Sequence, residues 1–159
     1  MESLIKLRPF QDEDIDLFIK WLYSPHVKQW YTEPLDWMDE IKKRNNDFNW
    51  IHHYIVEYKN ISIGFCQYYE FYKSGETWSG NIELDGVYSI DYMIGEQRYL
   101  GKGISKDIIK ILISKINQEN NAKIIIVQPD EKNKKSSSLL KSCGFDFDYE
   151  NKIYKKLLK

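Results

Sequence analysis

The feature that most constrains the fold of this chain is a strand-like run that leads through a glycine-bearing turn into a helix-like run. The run from Tyr88 to Ile94 is rich in isoleucine and tyrosine, and the turn after it holds Gly101 and Gly103. Backbone N–H groups at the start of a helix attract anions, most often phosphates. The sequence therefore predicts that a phosphate-bearing cofactor binds at this turn. The helix-like run repeats its apolar residues on one face, at Ile104, Ile108, Ile111, Leu112 and Ile116.

The glycine spacing indicates which kind of cofactor binds. The turn reads Arg98-x-x-Gly101-x-Gly103, which differs from the GxGxxG of dinucleotide-binding turns and from the GxxxxGK(S/T) of P-loops. The pattern resembles the coenzyme A pyrophosphate loop of the GNAT superfamily of N-acetyltransferases. Plain turn glycines are the alternative interpretation, because glycines are common between strands and helices.

The resemblance implies a set of residues that bind acetyl-CoA, with no metal ion. In the superfamily, the glycines let the backbone close on the pyrophosphate, and the start of the helix supplies N–H donors. A backbone N–H group near Met93 or Ile94 would donate to the thioester carbonyl. The residues assigned to acetyl-CoA in this way are Met93, Ile94, Arg98, Leu100, Gly101, Lys102, Gly103, Ile104, Ser105 and Asn133.

Length and composition predict one soluble domain. A chain of 159 residues and 19.1 kDa can bury one core of ordinary size, so we expect a single domain over residues 1–159. The sequence has no apolar leader and no run of 18 apolar residues, which predicts a cytoplasmic protein that does not enter membranes. Cys66 and Cys143 lie in apolar surroundings without metal-ligand spacing, which predicts buried free thiols.

The charge distribution favours a cationic substrate over nucleic acid. The formal net charge is −1, whereas nucleic-acid binding needs clustered lysine and arginine. Residues 70–91 hold five acidic residues and one lysine, and residues 132–159 hold eight lysines and three acidic residues. An acidic segment and a basic segment suit a cationic substrate and a polyanionic cofactor that meet in one cleft. Solvent-exposed faces of ordinary proteins produce such runs too.

The order of the predicted elements indicates a mixed α/β (α+β) fold. The pattern β-α-α-β-β-β-α-β-α-β-β matches the GNAT architecture, a mixed central sheet flanked by helices. Acidic residues 12–14 open the first helix, and Pro25 is predicted to end it. The strands on either side of the long helix are expected to be parallel neighbours. The other predicted helices are 34–45, 101–118 and 133–142, and the strands are 5–8, 50–58, 61–71, 88–94, 123–127, 145–149 and 152–158.

Three further stretches resemble one branch of the superfamily, the aminoglycoside 6′-N-acetyltransferases. Residues 26–31 resemble its aromatic loop, residues 63–69 its Ile-Gly-Tyr-x-Gln-x-Tyr strand, and residues 86–91 its Gly-(Ile/Met)-Asp-Gln strand. Two positions depart from the branch. Tyr92 replaces its glutamine after the aspartate, and Gln128 replaces an aspartate that would help to hold a cationic substrate.

The carboxyl-terminal part resembles the closing motif of the superfamily only in part. That motif reads Asn-x-x-Ala-x-x-x-Tyr-x-x-x-Gly-Phe, and Asn133, Gly144 and Phe145 match it. Leu140 stands where many members carry a tyrosine thought to protonate the leaving thiolate. No tyrosine is therefore assigned as the acid, and Gly144 also suits a helix C-cap.

Asp91 is the candidate catalytic residue. Acetyl transfer to an amine needs a neutral amine, since an ammonium ion has no lone pair, and a nearby carboxylate can accept the proton. Asp91 lies in the middle of an otherwise apolar strand, where an unpaired carboxylate would be costly. A hydrogen-bonded structural aspartate is the competing interpretation. Glu76, next to Trp78 in a polar loop, is a second candidate carboxylate.

Aromatic and polar side chains are candidates to line the acceptor pocket, because aromatic faces pack on sugar rings and favour cations. About half of them should simply belong to the core. His26, His52 and His53 show no nucleophile or ligand pattern, so structural or exposed roles are expected. The residues assigned to the substrate are Trp30, Tyr31, Gln67, Glu76, Trp78 and Asp91.

These expectations lead to one main hypothesis and two alternatives. The main hypothesis is an acetyl-CoA-dependent N-acetyltransferase, monomeric or homodimeric, that acts on a cationic small-molecule amine, the 6′-amine of an aminoglycoside, and so confers antibiotic resistance. The first alternative changes the acceptor to a protein N-terminus or another small-molecule amine. The second is a non-catalytic acyl-CoA sensor, which the leucine at position 140 would favour.

Overall fold

The computed structural model describes residues 4–158, which form a mixed α/β fold with the predicted order of elements and one additional short helix, α2. Single 3-10 turns lie at Asp12–Asp14, Phe71–Ser74 and Gln97–Tyr99. The helices are α1 (Ile15–Leu22), α2 (Pro25–Lys28), α3 (Pro34–Lys42), α4 (Ile104–Asn117) and α5 (Lys134–Ser142). The strands are β1 (Ile5–Pro9), β2 (Ile51–Tyr58), β3 (Ile61–Glu70), β4 (Val87–Ile94), β5 (Ile124–Val127), β6 (Asp146–Asp148) and β7 (Ile153–Leu157).

The strands are hydrogen-bonded in the order β1-β2-β3-β4-β5-β7-β6. β4 and β5 are parallel, which confirms the prediction made from the helix between them, and β5 pairs antiparallel with β7. The register of β4 on β5 runs from Val87 to Ser89, and β4 continues beyond it to Ile94. The predicted turn at Lys59-Asn60 joins β2 to β3, and both residues have positive φ angles, 49° and 68°, as two-residue hairpins require.

The first helical region differs from its prediction. α1 ends at Leu22, and Pro25 begins α2 instead of ending α1. Proline suits the first turn of a helix because its missing N–H group would have no helical partner there. α3 begins at Pro34 as predicted but ends at Lys42, since the asparagine- and aspartate-rich residues 45–47 favour turns.

Contacts within the chain group into two compact units. The first unit comprises Met1–Gln67 and Asp91–Ile108, and the second comprises Tyr68–Ile90 and Ile109–Lys159. Edge-on aromatic contacts fill the core of the first unit, such as the contact between Phe10 and Phe18 with ring centres 5.6 Å apart. The buried cluster of this unit consists of Phe10, Phe18, Trp21, Leu22, Val27, Ile41, Ile55, Phe65 and Met93.

A partly buried ion pair supports the start of α1. The Asp14 carboxylate is 6% exposed and accepts two hydrogen bonds from the Arg8 guanidinium, at 2.7 and 2.8 Å, and one from the backbone N–H group of Gln11. Burial raises the pKa of Asp14, but these hydrogen bonds outweigh it and hold the pKa below its ordinary value. Of the acidic residues 12–14 that were predicted to open the helix, Asp14 therefore supports its start through the ion pair with Arg8.

β5 forms the centre of the second unit. Ile125 and Ile126 are fully buried, and the Ser89 hydroxyl on β4 donates to the carbonyl of Ile126 at 2.7 Å. Cys143 is a buried free thiol in this unit, and Cys66 is one in the first unit, as predicted. Among the helices of residues 4–158, none combines the length and the apolar character that crossing a membrane needs.

Candidate active site

β4 carries one carboxylate, Asp91, between apolar neighbours. Ile90 and Met93 are buried, whereas Asp91 is half-buried. The Gln67 side chain on β3 donates from Nε2 to Asp91 Oδ2 at 2.9 Å, and Gln67 itself is 2% exposed. This contact brings two of the predicted site residues together and holds the carboxylate in one orientation.

Tyr31 holds the backbone next to Asp91. Its hydroxyl donates to the carbonyl of Tyr92, and its ring packs edge-on against Trp37 with ring centres 5.3 Å apart. Burial raises the pKa of Tyr31 well above its ordinary value, and the nearby Asp91 carboxylate raises it further. The hydroxyl therefore keeps its proton and acts as a donor at neutral pH. Trp30, beside it in the chain, is half-buried.

Side chains from α1 and α2 hold the carboxyl end of β4. His26 donates from Nε2 to the carbonyl of Ile94 at 3.0 Å, and this nitrogen must carry the hydrogen because a carbonyl only accepts. Trp21 donates from Nε1 to the Glu96 carboxylate at 2.6 Å. The Trp21 indole also lies against Gly95, where an added Cβ would come within 2.1 Å of the ring. These contacts fix the direction in which the chain leaves the strand.

β3 approaches β4 closely at Gly64. A Cβ added at this position would lie 2.3 Å from the carbonyl oxygen of Met93, which is closer than any real contact. Only glycine allows the two backbones to come this near. This glycine belongs to the stretch, residues 63–69, that the sequence analysis singled out.

The turn after β4 has an open, glycine-lined backbone. Gly101 and Gly103 have φ angles of 74° and 76°, and no atom lies within 4 Å of the position that a Cβ would take at either residue. The predicted helix from Gly101 begins instead at Ile104, because left-handed φ angles cannot continue an α-helix. The backbone at these glycines is therefore accessible to a ligand.

Two cationic side chains lie in this turn. Arg98 and Lys102 are exposed, and the Arg98 guanidinium lies over the Tyr99 ring, 5.0 Å from its centre. Leu100 is 43% exposed, and Ser105 is half-buried in the first turn of α4.

The turn fits a pyrophosphate. The first N–H groups of the 14-residue α4 have no partners within the helix, and the helix dipole favours an anion at this end. The two open glycines leave room for phosphate oxygens against the backbone, and Arg98 and Lys102 add positive charge. The first unit thus contains a turn whose backbone and charges suit an anion and, on the preceding strand, a carboxylate able to accept a proton. Among residues 4–158, no three His, Cys, Asp or Glu side chains are grouped as metal ligands.

Two predicted substrate residues lie in the second unit. Glu76 is exposed, and its carboxylate accepts a hydrogen bond from the Tyr69 hydroxyl at 3.2 Å. Trp78 is half-buried and packs edge-on against Phe71, with ring centres 4.7 Å apart. The loop that holds both residues is therefore ordered by contacts of its own.

Asn133 also lies in the second unit, where it caps α5. Its Oδ1 accepts a hydrogen bond from the backbone N–H group of Ser136 at 3.1 Å. Leu140, which stands at the position of the superfamily's tyrosine, is fully buried and belongs to the core of this unit.

Sequence reasoning missed two contributors to these arrangements. Tyr69 was not assigned to the site, although it ends the singled-out stretch of residues 63–69. The sequence does not indicate the role of Trp21, because an indole on the apolar face of a helix is typical of a core residue. Its hydrogen-bond partner, Glu96, is 75 residues away in the chain.

Comparisons with known proteins identify the family of this chain. Residues 11–153 match the family model of the acetyltransferase (GNAT) domain. The chain is 21% identical, over 148 residues, to aminoglycoside N(6′)-acetyltransferase type 1 of Klebsiella pneumoniae, and the match covers 89% of this chain and 74% of that protein.

Solved structures show the same fold. Aminoglycoside acetyltransferase AAC(6′)-Ib in complex with coenzyme A and kanamycin has a TM-score of 0.81 and 19% identity, over 96% of this chain and 94% of that one. Spermidine N-acetyltransferase from Vibrio cholerae in complex with coenzyme A and spermine has a TM-score of 0.77 and 16% identity, over 98% and 96%. Because the family model covers most of the sequence, the chain belongs to the GNAT acetyltransferase family and is an N-acetyltransferase.

Proposed function

We propose that this N-acetyltransferase uses acetyl-CoA to acetylate the 6′-amine of an aminoglycoside. The observation that carries the proposal is the Asp91 carboxylate, half-buried in an apolar strand and oriented by Gln67. The relatives support the choice of acceptor, since the Klebsiella protein is named for this reaction and one solved structure contains kanamycin. The family model runs through both units, which supports one N-acetyltransferase domain over residues 1–159.

The turn after β4 is the proposed binding element for acetyl-CoA, which supplies an acetyl group activated as a thioester. Gly101, Gly103 and the first N–H groups of α4 would bind the pyrophosphate, with Arg98 and Lys102 as cations. Asn133 keeps its capping contact, and its assignment to acetyl-CoA stays a prediction. The other residues of the proposed set are Met93, Ile94, Leu100, Ile104 and Ser105.

Asp91 has two roles in this proposal. Its negative charge attracts the protonated acceptor amine, and the carboxylate then takes a proton from that amine, directly or through water. The amine gains the lone pair that it needs to attack. Trp30 is the proposed aromatic wall of the acceptor pocket, and Glu76 and Trp78 remain predicted substrate residues.

A polyamine is the second candidate acceptor. The likeness to spermidine N-acetyltransferase favours it, and that structure contains spermine.

The acceptor is tested by release of the free CoA thiol from acetyl-CoA. Kanamycin, neamine, a 6′-hydroxyl aminoglycoside and spermidine are supplied separately at equal concentration. We expect turnover with kanamycin and neamine and none with the 6′-hydroxyl compound, since a hydroxyl replaces the reacting amine. Turnover with spermidine alone would replace the aminoglycoside by a polyamine, and silence with all four would contradict both acceptors.

A further inference from the structure

The side chain of Gln67 is almost entirely enclosed, although residues of this kind usually lie at a protein surface. It is 2% exposed, and its Nε2 group donates to Asp91 Oδ2 at 2.9 Å. Its other polar atom, Oε1, is buried and accepts no hydrogen bond from any of residues 4–158. An amide that makes one contact and leaves its oxygen unpaired destabilises the fold compared with an apolar side chain of the same shape.

A group that weakens the fold in this way calls for a functional explanation. Lining the acceptor pocket, the role expected from the sequence, does not fit a side chain that is 2% exposed. Among residues 4–158, the one hydrogen bond of its side chain is to the carboxylate proposed to take the proton. We propose that Gln67 is a positioning residue, which orients the Asp91 carboxylate and keeps it ionised for proton transfer. This inference rests on the proposed function of Asp91.

The chemistry of the contact explains why an amide suits this position. An N–H group donates more strongly to an ionised carboxylate than to a neutral carboxyl group, so the contact favours the ionised form. A lysine or arginine would favour that form too, but it would cancel the charge that attracts the acceptor amine. The neutral amide orients the carboxylate and leaves its charge in place.

The position of Gln67 on a strand makes the contact rigid. β3 and β4 are neighbours in the sheet, and Gly64 and Met93 bring their backbones close together. Functional groups built on strands are held more precisely than groups on loops. Three titratable groups, Asp91, Tyr92 and Cys66, interact electrostatically with Tyr31 in this neighbourhood. Tyr31 remains a protonated donor, so it does not exchange its proton with Asp91 near neutral pH.

The substitution Gln67→Met tests the inference, because methionine has a similar length and shape but no hydrogen-bond donor. We expect the acid limb of the kcat/KM profile to move to higher pH by about one unit, with the alkaline plateau retained. The melting temperature should equal or exceed that of the wild type, since the unpaired oxygen is gone. An unchanged acid limb, or a raised KM for the amine with the same profile, would contradict the positioning role.

Ser89→Ala is the matched control. Ser89 is also 2% exposed and lies on β4, but its hydroxyl donates to the Ile126 carbonyl and not to Asp91. This variant should lower the melting temperature and leave the acid limb where it is. Gln67→Leu repeats the main test with a second apolar side chain. A failure of both Gln67 variants to fold would also contradict the inference, because a packing role alone would then explain the residue.

A titration of Asp91 separates this inference from the proposed function. The carboxyl carbon of Asp91 is followed by NMR against pH in the wild type and in Gln67→Met. We expect the midpoint to be about one pH unit higher in the variant. A higher midpoint in the variant would support the contact by itself. Full turnover of Asp91→Asn would remove Asp91 from the mechanism, but it would leave this support for the contact intact. Equal midpoints would overturn the inference whatever the turnover of Asp91→Asn.

Discussion

At the scale of the residue, two carboxylates of the first unit, the buried Asp14 and the half-buried Asp91, are held in different ways. Asp14 is paired with the Arg8 guanidinium, which neutralises its charge and fixes the start of α1. Asp91 accepts a hydrogen bond from the neutral amide of Gln67, which orients the carboxylate and does not cancel its charge. Asp14 therefore serves the fold, whereas Asp91 is suited to a cationic substrate.

Tyr31→Phe tests the support of the strand that carries Asp91. The change leaves the Tyr92 carbonyl without this donor, and a buried group that loses its partner costs about 1–2 kcal/mol. We expect the free energy of unfolding, measured with urea, to fall by that amount. Tyr149→Phe is the control, because Tyr149 is 85% exposed and should change stability little. Equal effects of the two variants would exclude the hydroxyl of Tyr31 as a support.

At the scale of the element, the turn after β4 combines two properties that α4 alone does not supply. Its two glycines adopt left-handed φ angles, and the space beside them is open. The helix then begins at Ile104, which is 4% exposed and anchors its first turn in the core. A rigid helix start behind an open glycine turn is the arrangement that a pyrophosphate needs.

Gly103→Ala tests this turn, and Gly75→Ala is its matched control. The two glycines have φ angles of 76° and 72°, and both face open space, so alanine should destabilise each by about 1–2 kcal/mol. Only Gly103→Ala places a methyl group on the proposed phosphate surface. We expect it to weaken acetyl-CoA binding, measured by calorimetry, by about tenfold, or about 1.4 kcal/mol. Equal affinities in both variants would place the pyrophosphate elsewhere.

The hairpin of β6 and β7 should respond to acid through Asp148. Hydrogen bonds from Asn151, and then the Lys155 ammonium, lower the pKa of Asp148 to about 2. Because the unfolded chain takes up this proton first as the pH falls, the stabilisation is complete above about pH 5 and is lost progressively towards pH 2. Asp148→Asn should therefore show a smaller loss of melting temperature between pH 5 and pH 2. Asp146→Asn, on the exposed side of β6, should keep the wild-type loss.

At the scale of the whole molecule, local sequence patterns predicted the helices and strands. The features that they did not predict depend on contacts between residues far apart in the chain. The order of strands and helices followed from periodicity and from glycine and proline, and the parallel pair β4 and β5 followed from the helix between them. Pro25 was misread because proline can both end one helix and begin the next. The contact of Trp21 with Glu96 spans 75 residues and has no local signature.

The candidate site residues depend on local patterns to different degrees. The sequence singles out Asp91 and the turn glycines because each breaks a local pattern: Asp91 is a charge in an apolar strand, and the glycines precede a helix. The burial of Gln67 was not foreseen, since its environment depends on neighbouring strands. Part of the acidic segment, residues 70–91, forms ion pairs at the surface, such as the pair of Asp85 and Lys123 at 2.8 Å. This agrees with the alternative interpretation of the segment, that such charge runs are ordinary solvent-exposed faces.

The central claim is that Asp91 takes the proton of the acceptor amine, and the turnover of Asp91→Asn tests it most directly. CoA thiol release with kanamycin, or with the acceptor that the panel selects, is measured beside calorimetric binding of acetyl-CoA. We predict that turnover falls by at least about 100-fold and that acetyl-CoA binds with unchanged affinity, because asparagine keeps the shape and loses the basic oxygen. Turnover equal to that of the wild type would contradict the claim.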